Sequence, residues 1–358
     1  MSAQAAGFSG SYDPGDVTFL LTPLDLETVP VAEKERQMRS GQRHYSELLS
    51  TEAAPSPAYL AAYHRALSAN GARLAGNIAA LAAALVQRRC GPGGLALASF
   101  ARAGTPIGVL LARALTRLGA APAHYSISII RDRGIDPAAL AYIAARHDPA
   151  DIVFVDGWTG KGAIAHELRG SVQLPALGIA PYLVVIADPA GQADLAATGE
   201  DYLIPSGILN GIVSGLVSRS VLTADLAPGQ FHGCRILHEL APHDLSRAFV
   251  DTIDALVTGL PAAVPALWQD AERRAYAQSS TQTIARLRAE YSVANLNRIK
   301  PGLAEATRAV LRRSPQFVLA TDPGERALAH LAVLCAERQV RLHAAGDLGP
   351  YRAVVLLD

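Results

Sequence analysis

The stretch Asp151-Ile-Val-Phe-Val-Asp-Gly-Trp-Thr-Gly-Lys-Gly-Ala-Ile164 decides how the fold of this chain is interpreted. Its β-branched and aromatic run at 152–155 predicts a buried strand that ends at Asp156. Glycines then allow a tight turn with exposed amides, and a helix follows. A carboxylate at a strand end can accept ribose hydroxyls, and amides at a helix N-terminus can hold a phosphate. We therefore predict a sugar-phosphate site that consists of Asp156, Gly157, Trp158, Thr159, Gly160, Lys161 and Gly162.

The same pattern is also typical of an ordinary strand-to-helix turn in an α/β protein, and that alternative stays open. The functional interpretation is favoured because Trp158, Thr159 and Lys161 are unusual residues for a turn that only reverses the chain. A P-loop is excluded, because Lys161 is followed by Gly162 and no glycine occupies the required upstream position.

The composition predicts two domains, or one large and one small domain, in a chain of 358 residues. The 32 basic and 32 acidic residues cancel, which argues against a protein that coats nucleic acid. Cys90, Cys234 and Cys335 are too widely separated for a metal motif or a disulfide framework. We therefore expect a reducing, cytoplasmic location. No signal peptide is recognised, and the most apolar helical stretch, 79–86, is too short to span a membrane.

Alternating strand and helix patterns predict the fold class. The first 50 residues are predicted to pack on the core, with an edge strand or a short helix at 16–21. Residues 51–260 are predicted to form an α/β domain with a mostly parallel sheet and helices on both faces. Its predicted strands are 95–100, 124–130, 152–155, 182–187 and 202–204. Its predicted helices are 57–89 with a break near 70–71, 106–118, 137–146, 163–168, and 206–217 with Ser206 as the cap.

Four loops of this sheet are expected on one rim, at 101–105, 131–136, 156–162 and 188–201, because ligands sit outside the carboxyl ends of parallel strands. The first loop offers the amides and side chains of Arg102, Ala103, Gly104 and Thr105 to an anion. The second loop carries Arg131 and Arg133 and suits a clamp over a phosphate.

These motifs resemble those of the type I phosphoribosyltransferases. The segment Arg102-Ala-Gly104 is similar to the pyrophosphate loop of that superfamily, and Asp156-Gly-Trp-Thr-Gly160 is similar to its ribose-phosphate turn. The resemblance implies a phosphorylated ribose substrate, phosphoribosyl pyrophosphate with Mg²⁺, and catalytic roles for Asp156, Arg102 and Arg133. The usual second acid is Gly157 here, and Asp201 or Glu200 is a candidate replacement. His44, Tyr45, Asp201 and Ser206 are predicted to shape an acceptor pocket.

A resemblance to the StiP-type family covers nearly the whole chain. The matching motifs are Ser9-Gly-Ser-Tyr12, Gly41-Gln-Arg-His-Tyr-Ser-Glu47, Ala101-Arg-Ala-Gly-Thr-Pro-Ile-Gly108, His124-Tyr-Ser-Ile-Ser128, Arg133-Gly-Ile-Asp136, Asp156-Gly-Trp-Thr-Gly-Lys-Gly162 and Tyr202-Leu-Ile-Pro-Ser206. This family is associated with tellurite-resistance and stress gene clusters and is often labelled a cysteine protease. That label directs attention to Cys234, with His238 and Glu239 close in sequence.

The C-terminal residues are predicted to form a second domain. Residues 261–290 are expected to form a linker helix, and 291–358 show a small α-β-α-β pattern that resembles the pelota-type RNA-binding domain. The resemblance implies RNA contacts from Gly302 and Arg308, and the basic run over 298–313 adds Lys300 and Arg312 as phosphate contacts. An ordinary solvated helix face is the alternative, and it stays open.

Three functions are therefore considered. The first is a phosphoribosyltransferase, the second a non-catalytic nucleotide- or RNA-binding regulator, and the third a cysteine protease. The acceptor and the oligomeric state are left open.

Overall fold

The structure is a computed structural model that describes residues 7–40, 44–89 and 94–357. Its helices are α1 Val31–Arg39, α2 Pro57–Arg89, α3 Gly104–Arg117, α4 Pro137–Ala144, α5 Ala163–Arg169, α6 Gln173–Ala176, α7 Ser246–Thr258, α8 Asp270–Glu290, α9 Leu303–Arg312 and α10 Ala329–Glu337. Its strands are β1 Thr18–Leu20, β2 Thr22–Pro23, β3 Thr28–Val29, β4 Leu49–Ser50, β5 Ala96–Phe100, β6 Ala123–Ile127, β7 Ile129–Ile130, β8 Gly134–Ile135, β9 Ile152–Trp158, β10 Leu183–Ala187, β11 Leu195–Thr198, β12 Gly233–Cys234, β13 Ile299–Pro301, β14 Pro315–Ala320, β15 Leu342–Ala344 and β16 Ala353–Leu357.

The main sheet has six strands in the order β1-β6-β5-β9-β10-β11, and every neighbouring pair is parallel. Residues 152–157 of β9 are buried, because both faces of a parallel sheet are covered. Phe154 stacks on Phe100 of the adjacent strand, with ring centroids 5.7 Å apart. The predicted α/β class with a mostly parallel sheet is confirmed, and β1 is the edge strand that the sequence allowed.

The region after β10 differs from the prediction. The strand expected at 202–204 is not a strand, and the sheet is extended instead by β11, within the predicted loop 188–201. The helix expected at 206–217 is also wrong, because this segment contains only short 3₁₀ turns at Pro205–Gly207 and Gly211–Val213. Glycines interrupt it, and both Gly215 and Leu216 have positive φ angles, which no α-helix accommodates.

Helix α2 is continuous across the break that was predicted near 70–71. Gly71 is explained by packing, since a Cβ there would lie 3.3 Å from Leu256 of α7. By length and composition alone, Pro57–Gln87 qualifies as a candidate membrane span, with a hydropathy of 1.2 and 44% of its window buried. A core helix passes the same test, so this is weak evidence for a span.

The C-terminal domain has a four-stranded sheet in the order β13-β16-β14-β15. Strand β13 was not predicted, and it pairs antiparallel with β16. Helix α8 packs on this sheet through Ile284 and Leu287, which join a small core with Tyr351 and Leu356.

The two domains are in contact through a common apolar core. Leu303, Ala306 and Val310 of α9 belong to the same buried cluster as Ile208 and as the residues of the main sheet. Helix α9 packs mainly on its own sheet and also contacts the turn Pro205–Gly207, where Ala304 lies against Gly207. Glu305 lies beside Gly160, so the charged face of α9 is turned toward the predicted site.

Candidate functional site

The turn after β9 is braced from the neighbouring strand. The Thr159 hydroxyl donates to Asp188 Oδ1 at 2.5 Å, and the same carboxylate accepts the amides of Gln192 and Ala193. Gly162 has φ +81° at the start of α5, where a side chain would be strained. The Thr159 hydroxyl, predicted to hold a phosphate, is thus already occupied in joining two strand ends.

Asp156 is buried at the end of β9 and accepts a hydrogen bond of 2.8 Å from the amide of Gly157. Burial raises the pKa of this carboxyl to about 7, although the Gly157 amide and the nearby Arg308 guanidinium act to lower it. The Arg308 guanidinium lies 4.7 Å from the centre of the Trp158 ring, a cation–π contact.

Helix α9 supplies the opposite wall of the site. Glu305, Arg308 and Arg312 are spaced three and four residues apart, so they share one helix face. Lys300 forms an ion pair of 3.4 Å with Glu305. The pKa of Glu305 is lowered overall. Burial acts to raise it, but the positive charges of Lys300 and the surrounding arginines have the larger effect.

The 101–105 loop supplies a buried ion pair. Arg102 pairs with Glu52 through Nη2 and donates from Nη1 to the Val217 carbonyl at 3.0 Å. Glu52 also accepts the Gly211 amide at 3.2 Å. Arg219 lies beside this pair, and burial lowers its pKa to about 10.

These elements enclose a cavity of about 200 Å³ between the two domains. Its charged lining residues are Arg102, Arg131, Asp156, Lys161, Arg219, Lys300, Glu305, Arg308 and Arg312. Seven of these are basic and two are acidic, so the cavity is strongly cationic. The Nε–H groups of Arg102, Arg131 and Arg308 are buried and have no hydrogen-bond partner within the described residues. Such a cavity is suited to an anion that accepts hydrogen bonds.

Many of the predicted site residues meet in this cavity: Arg102, Ala103, Arg131, Asp156, Trp158, Thr159, Gly160, Lys161, Gly162, Lys300, Arg308 and Arg312. Tyr45 lines an adjoining chamber and donates to the Arg131 carbonyl at 3.2 Å. Arg308 and Arg312 were predicted to contact RNA, but both side chains line this cavity. Ala304, on the same side of α9, lies against Gly207 and so turns that side inward.

Three predicted residues lie directly behind the cavity wall. A Cβ at Gly104 would lie 2.4 Å from the Val155 carbonyl oxygen, so this glycine permits close packing of α3 on β9. The Thr105 hydroxyl pairs with Ser126 at 2.8 Å. The amide of Gly157 is taken by Asp156.

Other predicted residues lie elsewhere. The Asp201 carboxylate accepts the Leu303 amide and so caps α9, rather than shaping a pocket beside Asp156. The Gly302 amide is bonded to a strand carbonyl at 2.8 Å. His44 pairs with Ser46 at 2.7 Å. The remaining two are the buried Ser206 and the exposed Arg133, which lies in the β7–β8 hairpin outside the cavity lining.

Sequence reasoning missed Arg219 and Glu52. Both lie in irregular segments without a motif or a helical spacing. Only the tertiary structure brings Arg219 to the cavity and Glu52 to Arg102 at its wall.

The described cysteines are poor nucleophiles in this conformation. Cys234 is fully buried, and burial raises its pKa to about 12. Burial likewise raises the pKa of Cys335 to about 11. A catalytic thiol needs access and a lowered pKa. Cys90 lies outside the described residues.

Within the described ranges, no group of three or more His, Cys, Asp or Glu side chains is placed to hold a metal ion. The predicted Mg²⁺ was expected to arrive with a substrate rather than in a protein cage, and it stays a prediction.

The fold and the site define an α/β protein with a six-stranded parallel sheet, a separate four-stranded sheet and a cationic cavity between them. Residues 10–254 match the family described as "Tellurite-like stress resistance cysteine protease StiP", and residues 278–358 match the PELOTA RNA binding domain. Over 367 residues the chain is 45% identical to "Cysteine protease StiP" of Acinetobacter baylyi, which covers 98% of this chain and 94% of that protein. The chain therefore belongs to the StiP family.

Two solved structures show weak similarity. One is HGPRT-ase from Leishmania tarentolae in complex with GMP, with 16% identity, a TM-score of 0.25, and 40% of this chain and 75% of that chain covered. The other is an amino transferase from Eubacterium rectale, with 11% identity, a TM-score of 0.23, and 94% and 83% covered. Neither likeness bears on the fold or the function.

The comparisons confirm the predicted family and the match to a pelota RNA-binding domain. They overturn the first function predicted from the sequence. The matching family and the relative are both named for cysteine proteolysis, which is a hydrolysis and not a transfer of ribosyl phosphate. The prediction of a phosphoribosyltransferase was therefore wrong.

Proposed function

We propose that this chain binds a phosphorylated ligand of the nucleotide type in the cavity between its two domains, and that it acts as a ligand-binding regulator in the stress setting that the family description names. The observation that supports this proposal is the set of three buried Nε–H groups without partners, on Arg102, Arg131 and Arg308. A buried donor without a partner costs about 1–3 kcal/mol, and a phosphate oxygen offers the missing acceptor.

A nucleotide is favoured over inorganic phosphate because Trp158 lines the same cavity. The Arg308 guanidinium lies 4.7 Å from the centre of the half-buried Trp158 ring, and an aromatic base can stack on a tryptophan ring. The adjoining chamber of about 380 Å³, which shares Arg131 and Arg308 with the cavity, offers room beyond the phosphate. A phosphoribosyltransferase-like fold of the sheet domain, a pelota-like fold of the C-terminal domain and a cytoplasmic location remain part of this proposal, without the transfer reaction.

Tryptophan fluorescence tests the proposal, because the chain has only two tryptophans, Trp158 and Trp268. A Trp268→Phe background leaves Trp158 as the reporter, and AMP and inorganic phosphate serve as probes. Arg308→Gln is expected to weaken AMP binding by about 10- to 100-fold, the value of a hydrogen bond to a charged group. The matched control is Arg274→Gln on the exposed part of α8. Equal affinities in both variants would contradict the proposal.

Cysteine proteolysis is the second candidate function, because the family description and the relative both carry that name. It requires a thiolate that the buried Cys234 does not provide in this conformation. Alkylation with iodoacetamide at pH 7, followed by peptide mapping, shows which cysteine reacts. A single fast cysteine whose replacement by alanine abolishes casein cleavage would establish this candidate.

A further inference from the structure

Lysine is rare in this chain and is concentrated at one place. Of its 32 basic residues only three are lysines, Lys34, Lys161 and Lys300, and the rest are arginines. Lys161 and Lys300 line the cationic cavity, and Lys34 and Lys300 line the adjoining chamber. Arginine supplies positive charge everywhere else, so charge alone does not explain lysine here. An amine differs from a guanidinium because it is compact and can lose its proton.

Two of the three amines have assigned partners. Lys161 Nζ donates to the carbonyl of Ile299 at 3.1 Å and also to that of Leu296, which ties the turn after β9 to the C-terminal domain. Lys300 is paired with Glu305. Both amines therefore have structural contacts that a guanidinium of different shape would not reproduce.

Lys34 of α1 is different. It is 6% exposed, and no hydrogen bond or ion pair holds its amine in the described part of the chain. The groups that act on it electrostatically are the guanidiniums of Arg219, Arg312 and Arg313, together with the carboxylate of Glu35. Glu35 is already paired with Arg313. Burial, and then these three cations, lower the pKa of Lys34 to about 6.

The Lys34 side chain also has open space on two sides. It lines the chamber of about 380 Å³ next to the cationic cavity, and a second cavity of about 340 Å³ with several apolar side chains. An amine that is desolvated, surrounded by cations and adjacent to open space has the properties of a nucleophilic lysine.

We propose that Lys34 is a nucleophilic amine that forms an imine with a phosphorylated aldehyde or ketone whose phosphate lies in the cationic cavity. This inference rests on the proposed function, because that cavity would provide the phosphate site. The amine nitrogen attacks the carbonyl carbon, and the carbonyl π electrons pass to oxygen, which takes up a proton. The nitrogen loses a proton, and the resulting carbinolamine expels water to leave the C=N bond. No oxidant or reductant is needed.

Reductive trapping tests the inference on the full chain. Pyridoxal 5′-phosphate is the probe, borohydride delivers hydride to the imine carbon, and peptide mapping identifies the modified amine among three lysines and the N-terminus. At pH 7 we expect Lys34 to be modified faster than Lys161 or Lys300, because carbonyl and carboxylate partners hold the amines of those two lysines. Lys34→Arg, which keeps the charge but not the amine, is expected to lose this modification.

The pH dependence of the modification rate is measured on the native chain, so it does not depend on a variant that folds. The rate of Lys34 modification is expected to reach half its maximum near pH 6, far below the usual lysine value of 10.5. Modification of Lys161 or Lys300 alone, or none at all in a protein that still binds AMP, would overturn the inference and leave the proposed function standing. Unphosphorylated pyridoxal that labels Lys34 as fast as its phosphate ester would instead overturn the phosphate site, and with it the ligand class.

Discussion

The carboxyl group of Asp156 offers a direct test of the electrostatics of the site, through the variant Asp156→Asn. Burial raises its pKa to about 7 from the ordinary value of 3.8. Between these two values the native state binds a proton that the unfolded chain has released, so stability falls as pH rises through this window. The stability that this carboxyl contributes is lost fully once the pH exceeds its folded-state pKa. At about 1.4 kcal/mol per pKa unit, the ionised carboxyl costs roughly 4 kcal/mol at pH 8.

The assay is urea unfolding of the native chain and of Asp156→Asn at pH 5 and pH 8. We expect the variant to gain stability relative to the native chain on going from pH 5 to pH 8, by about 2–3 kcal/mol. A packing change caused by the amide acts equally at both pH values, so the difference isolates the ionisation. The control is Asp225→Asn in an exposed loop. A variant whose stability relative to the native chain is the same at both pH values would refute the reasoning.

Two further predictions concern binding and domain docking. Sulfate affinity, measured by calorimetric titration, is expected to fall as pH rises through 7, because Asp156 gains a negative charge and Lys161, whose pKa burial lowers to about 7, loses a positive one. A flat profile would contradict this. Asp201→Ala removes the acceptor for the Leu303 amide and is expected to cost about 1–2 kcal/mol. Hydrogen exchange should then show faster exchange in α9, whereas Glu200→Ala, an exposed neighbour, should leave α9 protected.

The central strand and its turn could be predicted from sequence because local physics decides them. The run at 152–155 is apolar on both faces, and Gly162 requires a positive φ that glycine supplies. The helix predicted from Ser206 was wrong, because local pattern does not decide that segment. The prediction weighed a capping serine and an apolar run, but glycines and tertiary packing decide that segment, and the Ser206 hydroxyl has no partner within the described residues.

The two sides of the site could be predicted separately from the sequence, but not that they lie together. Asp156 and Arg102 stood out because strand ends in a parallel sheet converge on one rim. Arg308 and Arg312 stood out as a basic helix face, but were assigned to another domain and another ligand. The two halves meet because Ala304 of α9 lies against Gly207 of the sheet domain, a contact between distant segments that no local spacing encodes.

The match to the PELOTA RNA binding domain supports RNA recognition. The contact between Ala304 and Gly207 limits which side chains can take part in it. Lys300, Arg308 and Arg312, the side chains predicted to contact RNA, face the cavity and lie against the sheet domain. Lys300 is buried, so an RNA backbone reaches all three side chains only if the domains move apart at the contact of Ala304 with Gly207. A phosphorylated ligand in the cavity draws on the same cations and gains from a closed arrangement. RNA contact through these side chains and ligand binding in the cavity are therefore competing uses of one set of charges.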